Sequence, residues 1–292
     1  MSAINDLFSN VAEFRRYVPG ISANIEFAEL NSSAISARKQ INAIITPALW
    51  NLIKSEEADS DAKEYLRNAF GNLIMHKSLI FDIISTRSSE TAGVYKHEFE
   101  AMRRQYIDNY YNAMDSLIQE LTENSNYSDA WKETNDYKLL QELQIQTTSE
   151  FDSYYGIDLS YLFFFRTIPL QREILLDGLG DMFLQVSALD PARTDLTSKL
   201  KLALSQMVVA LALSRFDIIE LPTTIRSLFD DQKSSRSGSE EQNRVLRLAT
   251  DLRENAKSLI SAVAILLSEP DNSHIVSETS FNKPDDKIYL MS

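Results

Sequence analysis

The sequence predicts an all-α protein made of two tandem, related helical-bundle lobes. Three observations support this fold class. Glycine and proline are scarce, with 7 of each in 292 residues, about 5% of the chain against an average of about 12%. Long segments repeat apolar residues every three or four positions, the period of a helix. Short sequence motifs of the first half of the chain recur in the second half. Sandwiches, barrels and doubly wound folds need many turn formers, so the composition argues against them.

Four long segments show the helical period most strongly. They are residues 61–86, 96–123, 195–219 and 240–268. The third is apolar almost all round, so the helix that it forms must be covered on most sides. Asp61 and Asp195 are suitable N-caps for two of these helices, because a carboxylate there accepts hydrogen bonds from free backbone N–H groups.

Shorter helices and irregular segments fill the rest of the chain. The predicted short helices are 9–17, 26–55, 139–155 and 160–188. Pro47 lies inside the second and should kink or divide it. Residues 221–239, with Pro222 before β-branched residues and a polar run after them, predict an extended or hairpin-like excursion. The residues after Pro270 predict an extended polar C-terminal tail.

An internal duplication divides the chain. Three sets of residues match in order, at offsets of 137, 136 and 135: Glu13, Phe14 and Tyr17 with Glu150, Phe151 and Tyr154; Gly20-Ile21 with Gly156-Ile157; and Phe81-Asp82-Ile83-Ile84 with Phe216-Asp217-Ile218-Ile219. Ordered matches near one offset indicate a repeat, although helical proteins also share short apolar words by chance. The predicted units are a lobe at 1–136, a second lobe at 137–269 and an arm at 270–292.

Composition excludes several classes of protein. The chain has no cysteine, so disulfides, thiolate nucleophiles and Cys-based metal sites are absent. Its net charge of −13 is unlike that of a basic nucleic-acid reader. The first 16 residues lack the apolar run of an export signal. The most apolar stretch, 202–213, is shorter than the ~20 residues of a membrane span. We therefore expect a protein made in the cytoplasm without a membrane segment.

No pattern in the sequence predicts a catalytic centre, a cofactor or a metal site. His97 and Glu100 lie three apart on one helix face, but di-iron bundles need a second such pair and further glutamates. Lys77 follows His76 and would repel a cation. Neither a G-x-S-x-G elbow nor a phosphate-binding glycine loop occurs. We therefore predict that the protein is not an enzyme.

Three groups of residues are candidates for an assembly interface. Phe163, Phe164 and Phe165 cannot all face one core from a single helix, so at least one should be exposed or meet a neighbouring chain. The other groups are the basic residues Arg226, Lys233 and Arg236 of the excursion and the apolar residues Ile288, Tyr289 and Leu290 of the tail. A solvated loop and a disordered end are the alternatives for the last two groups.

The repeated words also resemble a known family. Glu13-Phe14-Arg15-Arg16-Tyr17-Val18-Pro19, followed by a helix containing Arg38, Ile41, Ile45 and Pro47-Ala48-Leu49, resembles the opening of a helical family of Bacteroidetes phages and prophages. Thr148-Ser149-Glu150-Phe151-Asp152, with Tyr154-Tyr155-Gly156-Ile157, looks like the second copy in that family. The likeness covers most of residues 10–268. It departs from the family pattern at Gly178-Leu179-Gly180 and at Thr46-Pro47.

The resemblance implies a head–tail connector, or neck-ring, protein as in crAss-like phages. Such a protein would be a structural virion component, a homo-oligomeric ring of about twelve copies with heterologous interfaces. Its partners would be the portal protein and other neck or tail proteins, with duplex DNA passing through the bore without sequence-specific binding. An acidic wall would repel DNA and prevent sticking. The alternatives are a non-catalytic helical binding or regulatory module and a metal-dependent helical-bundle enzyme.

Overall fold

The fold is all-α, as the sequence predicts. A computed structural model describes residues 3–21, 25–57, 60–86, 92–189, 191–217, 220–228 and 238–268, without the side chains of 80–86, 92–100 and 238–242. Within these ranges the chain forms helices joined by turns, and no β-strand occurs. The predicted arm at 270–292 lies outside the described residues.

In the described part of the first half, a short 3₁₀ helix at Ala3–Asp6 precedes six helices. These are α1 (Val11–Tyr17), α2 (Phe27–Lys54), α3 (Asp61–Thr86), α4 (Ala92–Glu123), α5 (Ser125–Lys132) and α6 (Asn135–Leu140). Helix α3 packs along both α2 and α4, and α5 closes over α2 and α4. The predicted boundary between the lobes, at 136/137, falls inside α6.

The described residues of the second half form seven helices. They are α7 (Thr148–Tyr154), α8 (Tyr161–Arg166), α9 (Ile168–Ile174), α10 (Gly180–Ser187), α11 (Thr194–Arg215), α12 (Thr223–Arg226) and α13 (Gly238–Ser268), with a π-helical turn at Leu175–Leu179 between α9 and α10. Helix α11 packs along α13 and touches α7, α9 and α10. It is long and apolar enough to cross a membrane, yet its buried side chains make it the core helix of this half.

The predicted helices at 139–155 and 160–188 are wrong as single elements. The first is interrupted because Thr147 accepts a hydrogen bond from the Glu150 N–H and starts α7 as a new helix. The second breaks at Thr167, ahead of Pro169, whose ring has no N–H to continue the helix. It breaks again at Gly178, which has a positive φ of 104°.

Glu13 fastens α1 to α3. Its backbone N–H donates to Asn10 Oδ1 at 2.8 Å, and its Oε2 accepts from the Ser9 N–H at 2.7 Å. This pair resembles a capping box, but the glutamate accepts from Ser9, the residue before the N-cap Asn10. The other oxygen, Oε1, lies 2.9 Å from Nη2 of Arg67 on α3. One carboxylate therefore both caps α1 and holds it against the long helix.

Glu150 does the same for α7 and α11. Its N–H donates to Thr147 Oγ1 at 3.1 Å, its Oε2 accepts from the Gln146 N–H at 3.3 Å, and its Oε1 pairs with Lys201 of α11. Glu13 and Glu150 are one of the matched pairs in the sequence. Their equal roles favour the predicted duplication, which stays a prediction.

The glycine match does not extend to backbone conformation. Gly20 has a φ of +81°, whereas Gly156 has no positive φ. In the second half, Asp158 and Leu159 make the left-handed turn instead, with φ of 57° and 52°. The four-residue match beginning at Phe81 and Phe216 lies mostly outside the described side chains.

The hydrophobic core is continuous from one half to the other. Trp131 of α5 packs on Phe165 of α8 with ring centroids 5.0 Å apart. One cluster of buried side chains extends from Ile4 to Val263. The two halves therefore share one interior.

Candidate functional site

A polar cleft lies where the two halves meet. We call it the junction cleft, and it is bounded by α4, the turn before α8 and the segment 220–226. It has a volume of about 290 Å³ and is lined by four carboxylates, Asp108, Asp115, Asp158 and Glu220, together with Arg226. A cleft in which several charged side chains converge is a candidate binding or active site.

The segment 220–228 is fastened to the cleft at several points. Leu221, Pro222 and Ile225 are buried, and α12 follows as a single helical turn. Arg226 Nη1 lies 2.7 Å from Asp108 Oδ1 on α4. The Thr224 N–H donates to Asp158 Oδ2 at 2.7 Å, and the Thr224 hydroxyl donates to the other oxygen of that carboxylate. Apolar burial and charge pairing therefore fix this segment from both sides.

Glu220 joins three elements. Its Oε1 accepts a hydrogen bond from the Tyr111 hydroxyl at 3.0 Å and lies 2.9 Å from Arg166 Nη1. The Arg166 guanidinium also lies over the Phe216 ring, 4.8 Å from its centroid. Burial, together with the negative charge of Glu220, raises the pKa of Tyr111 far above its usual value. Tyr111 is therefore a hydrogen-bond donor at neutral pH, not a base.

Asp115 of α4 organises the start of α8. Its Oδ1 accepts from the Ser160 hydroxyl at 2.8 Å and from the Leu162 N–H at 2.9 Å. Ser160 in turn caps α8 by accepting from the Phe163 N–H. Burial raises the pKa of Asp115, although the hydrogen bonds from Leu162 and Ser160 oppose that shift. A carboxylate from one half thus supplements the helix cap of the other.

The charged side chains of the junction cleft are paired within the chain. Each of the four carboxylates is held by a cation, a hydroxyl or a backbone N–H of the same chain. Among the described residues, no cluster of three His, Asp or Glu side chains could hold a metal ion. His76 Nδ1 contacts the Arg103 carbonyl oxygen at 3.1 Å. The side chains of His97 and Glu100 lie outside the described set. The contacts of these carboxylates therefore hold α4, α8 and the segment 220–228 together.

The prediction that one of the three phenylalanines is exposed is wrong. Phe163, Phe164 and Phe165 are 2%, 1% and 6% exposed. Each meets a different partner: Phe163 meets Phe216, Phe164 meets Phe151, and Phe165 meets Trp131. Successive residues of a helix point about 100° apart, so a helix surrounded by other elements buries them all. Helix α8 lies inside the core, and these residues are not on the surface of the subunit.

The other predicted interface residues fall in two groups. Arg226 is half-buried and paired with Asp108, so it fastens its segment to the same chain. The predicted extended excursion is wrong for Thr223–Arg226, which form α12, because burial of Ile225 and the contacts of Thr224 stabilise a helical turn. The remaining predicted residues lie outside the described residues: Lys233, Arg236, Ile288, Tyr289 and Leu290.

Sequence reasoning missed the residues that build the junction cleft. Arg166 and Glu220 are 54 positions apart, and Asp108 and Arg226 are 118 apart. No local period links such pairs. The one local signal was Ser160, which precedes an apolar run in the manner of an N-cap.

No protein-family model, curated protein or solved structure matches this chain. The family resemblance therefore depends on the sequence words alone.

Proposed function

We propose that this protein is a structural building block of a phage neck, forming a homo-oligomeric ring between portal and tail through which DNA passes. The observation that supports a building role is the junction cleft, where paired charges fasten the two halves together. The position in the virion is supported by the resemblance of the repeated words. The partners proposed are further copies, the portal protein and other neck or tail proteins.

The physical demands of such a ring agree with the fold. A ring wall needs stiff elements, and α3, α4, α11 and α13 are each more than five turns long. A bore that passes DNA must not bind it tightly, and a net charge of −13 opposes adhesion to phosphates. The segments proposed to reach a neighbouring copy are 229–237, whose base is fixed by Arg226 and Asp108, and 270–292.

The mass of the purified full-length chain tests this proposal. About twelve copies of the 33.2 kDa chain would give a particle of about 400 kDa, visible as a ring in negative-stain images. The measurement is made by analytical ultracentrifugation with and without the portal protein. A chain that stays monomeric or dimeric in both conditions contradicts the ring and favours the helical binding module. Stoichiometric iron or manganese would instead favour the bundle enzyme.

Three variants test which parts of the chain the ring needs. Arg226→Glu breaks the ion pair at the base of 229–237 and should lower the assembled fraction, whereas adding Asp108→Arg restores the pair with reversed signs and should recover assembly.

Removal of 270–292 should weaken assembly while leaving the circular dichroism of the subunit unchanged. Assembly equal to that of the full chain would contradict the role of the arm.

A further inference from the structure

An apolar groove opens on the second half of the chain. Ile174, Met207 and Leu211 form its floor, Leu176 stands on one wall, and Arg253 and Lys257 of α13 stand on the other. Its volume is about 470 Å³. We call it the α9–α13 groove.

The backbone of one wall turns a large apolar side chain outward. The π-helical turn at Leu175–Leu179 contains Gly178 at a φ of 104°, a conformation that favours glycine. A Cβ on Gly180 would lie 2.8 Å from the Leu175 carbonyl oxygen, so glycine is also required there. The result is that Leu176 is 78% exposed. Single π-helical turns inside α-helices occur often at functional sites, and this one presents a leucine that the described core does not use.

The charges of the groove are arranged in opposed pairs. Arg253 and Lys257 lie four residues apart on α13, and Glu173 and Asp177 lie four apart on the facing wall. Glu173 is held by Arg215, and Arg253 donates to Ser214 Oγ at 3.0 Å. An occupant that fits must be apolar at its centre, with an acidic group near Lys257.

The chain itself contains such a segment. Residues 285–290 read Asp-Asp-Lys-Ile-Tyr-Leu, two acidic residues and then an apolar cluster. Twenty residues separate Ser268 from Ile288, and an extended chain spans up to about 3.3 Å per residue, or about 65 Å. Lys257 lies eleven residues before Ser268, about 16 Å back along α13. The segment therefore reaches the groove with length to spare.

We propose that the α9–α13 groove binds residues 285–290 of its own chain in the free subunit. Ile288 and Leu290 would lie against Leu176 and Leu211, and Asp285 and Asp286 would face Lys257. Tethering within one chain gives a millimolar effective concentration, which favours the chain's own segment over that of another copy. This inference does not depend on the ring, because the groove would be covered before any assembly.

The absence of cysteine makes a direct test possible. In the full-length chain, Leu176→Cys with Tyr289→Cys introduces the only two thiols, and a short bis-maleimide should join them within one chain, visible as a shifted monomer band in denaturing electrophoresis. The matched control places the first cysteine at Leu246, another exposed leucine, about 16 Å along α13 from Lys257. Equal cross-linking in the two pairs overturns the proposal. Cross-links between chains only would overturn the assignment to the same chain.

Charge reversal gives a second, independent measurement. In the Leu176→Cys, Tyr289→Cys background, Lys257→Glu should slow cross-linking about two- to fivefold, the range of a partly exposed ion pair. Adding Asp286→Lys should restore the rate. Failure of the second change to restore the rate removes the electrostatic part of the proposal. If the protein does not assemble into a ring, the expected cross-linking results stay the same. The two proposals can therefore be tested separately.

Discussion

At the residue scale, the three successive phenylalanines of α8 show how much a few side chains contribute to this fold. Each fills a different part of the interior, and Phe164 meets Phe151 of α7 with ring centroids 6.0 Å apart. Because α7 is held to α11 through Glu150, this ring contact links α8 to the capped start of the second half. The core contribution of these residues can therefore be measured one at a time.

Phe164→Ala should destabilise the protein strongly. Loss of a fully buried phenylalanine leaves a cavity and costs about 3–5 kcal/mol of unfolding free energy. Chemical denaturation followed by circular dichroism measures the change. Leu184→Ala is the control, because Leu184 is 67% exposed and its loss should change stability by no more than about 0.5 kcal/mol. Similar effects of the two changes would contradict the burial of α8.

Buried tyrosines should make the protein sensitive to alkali. Burial raises the pKa of Tyr110 to about 12, and burial together with the hydrogen bond to Glu56 raises the pKa of Tyr127 to about 12. The folded state then binds more protons than the unfolded state once the pH exceeds about 10, so unfolding free energy falls as pH rises from 10 to 12. Tyr127→Phe should reduce this slope.

Absorbance at 295 nm reports tyrosine ionisation, and circular dichroism at the same pH reports unfolding. We expect the late-ionising tyrosines to ionise together with the loss of helix. Full ionisation of all twelve tyrosines near pH 10 in a folded protein would contradict the shifts.

At the element scale, two helical segments are interrupted by residues whose φ is positive. Helix α2 breaks at Thr46, with φ of 70° and ψ of 153°, and the α9–α10 path breaks at Gly178. Pro47 excludes Thr46 from the helical region, but a positive φ is unusual for a β-branched residue.

Thr46→Gly should stabilise the protein by about 1 kcal/mol. The conformation of Thr46 belongs almost only to glycine and costs about 1–3 kcal/mol in other residues, which outweighs the greater chain entropy of glycine. Thermal unfolding measures the change. Thr46→Ala keeps the Cβ and the strain, so it should give no gain. A loss of stability in the glycine variant would show that the break is unstrained.

Close packing of α1 on α3 depends on Gly71. A Cβ there would lie 2.6 Å from Val18 Cγ2, and the β-branched valine cannot easily move away. Gly71→Ala should therefore cost about 1–3 kcal/mol through overpacking. Gly156→Ala is the control, since no heavy atom lies within 4 Å of its Cβ position. Equal stability of both variants, measured by denaturant titration, would contradict the close approach.

Prediction from the sequence succeeded where one face of a long helix is apolar. Helix α3 lies at 61–86 as predicted because Leu66, Phe70 and Leu73 repeat at helical spacing. Helix α5 was missed, since Tyr127 and Trp131 are its only buried side chains and the rest of its surface is polar. The junction cleft could not be predicted, because the ion pair of Arg166 with Glu220 is formed only when separate helices come together.

At the scale of the whole molecule, the shared core determines how the protein unfolds. Because Trp131 and Phe165 pack across the predicted boundary, neither half can open without exposing the other. We expect one cooperative transition, with coincident denaturation curves from near-ultraviolet and far-ultraviolet circular dichroism. Two separated transitions would indicate lobes that fold independently.

The ring contact between Trp131 and Phe165 has a practical consequence for anyone dividing this polypeptide. Fragments made by cutting near residue 141 would each expose aromatic side chains that are buried in the whole chain. Each fragment should therefore aggregate when it is alone. When the two fragments are mixed, they should associate and form one folded subunit. The pair would then behave as a split protein, and the return of helical structure would report the association.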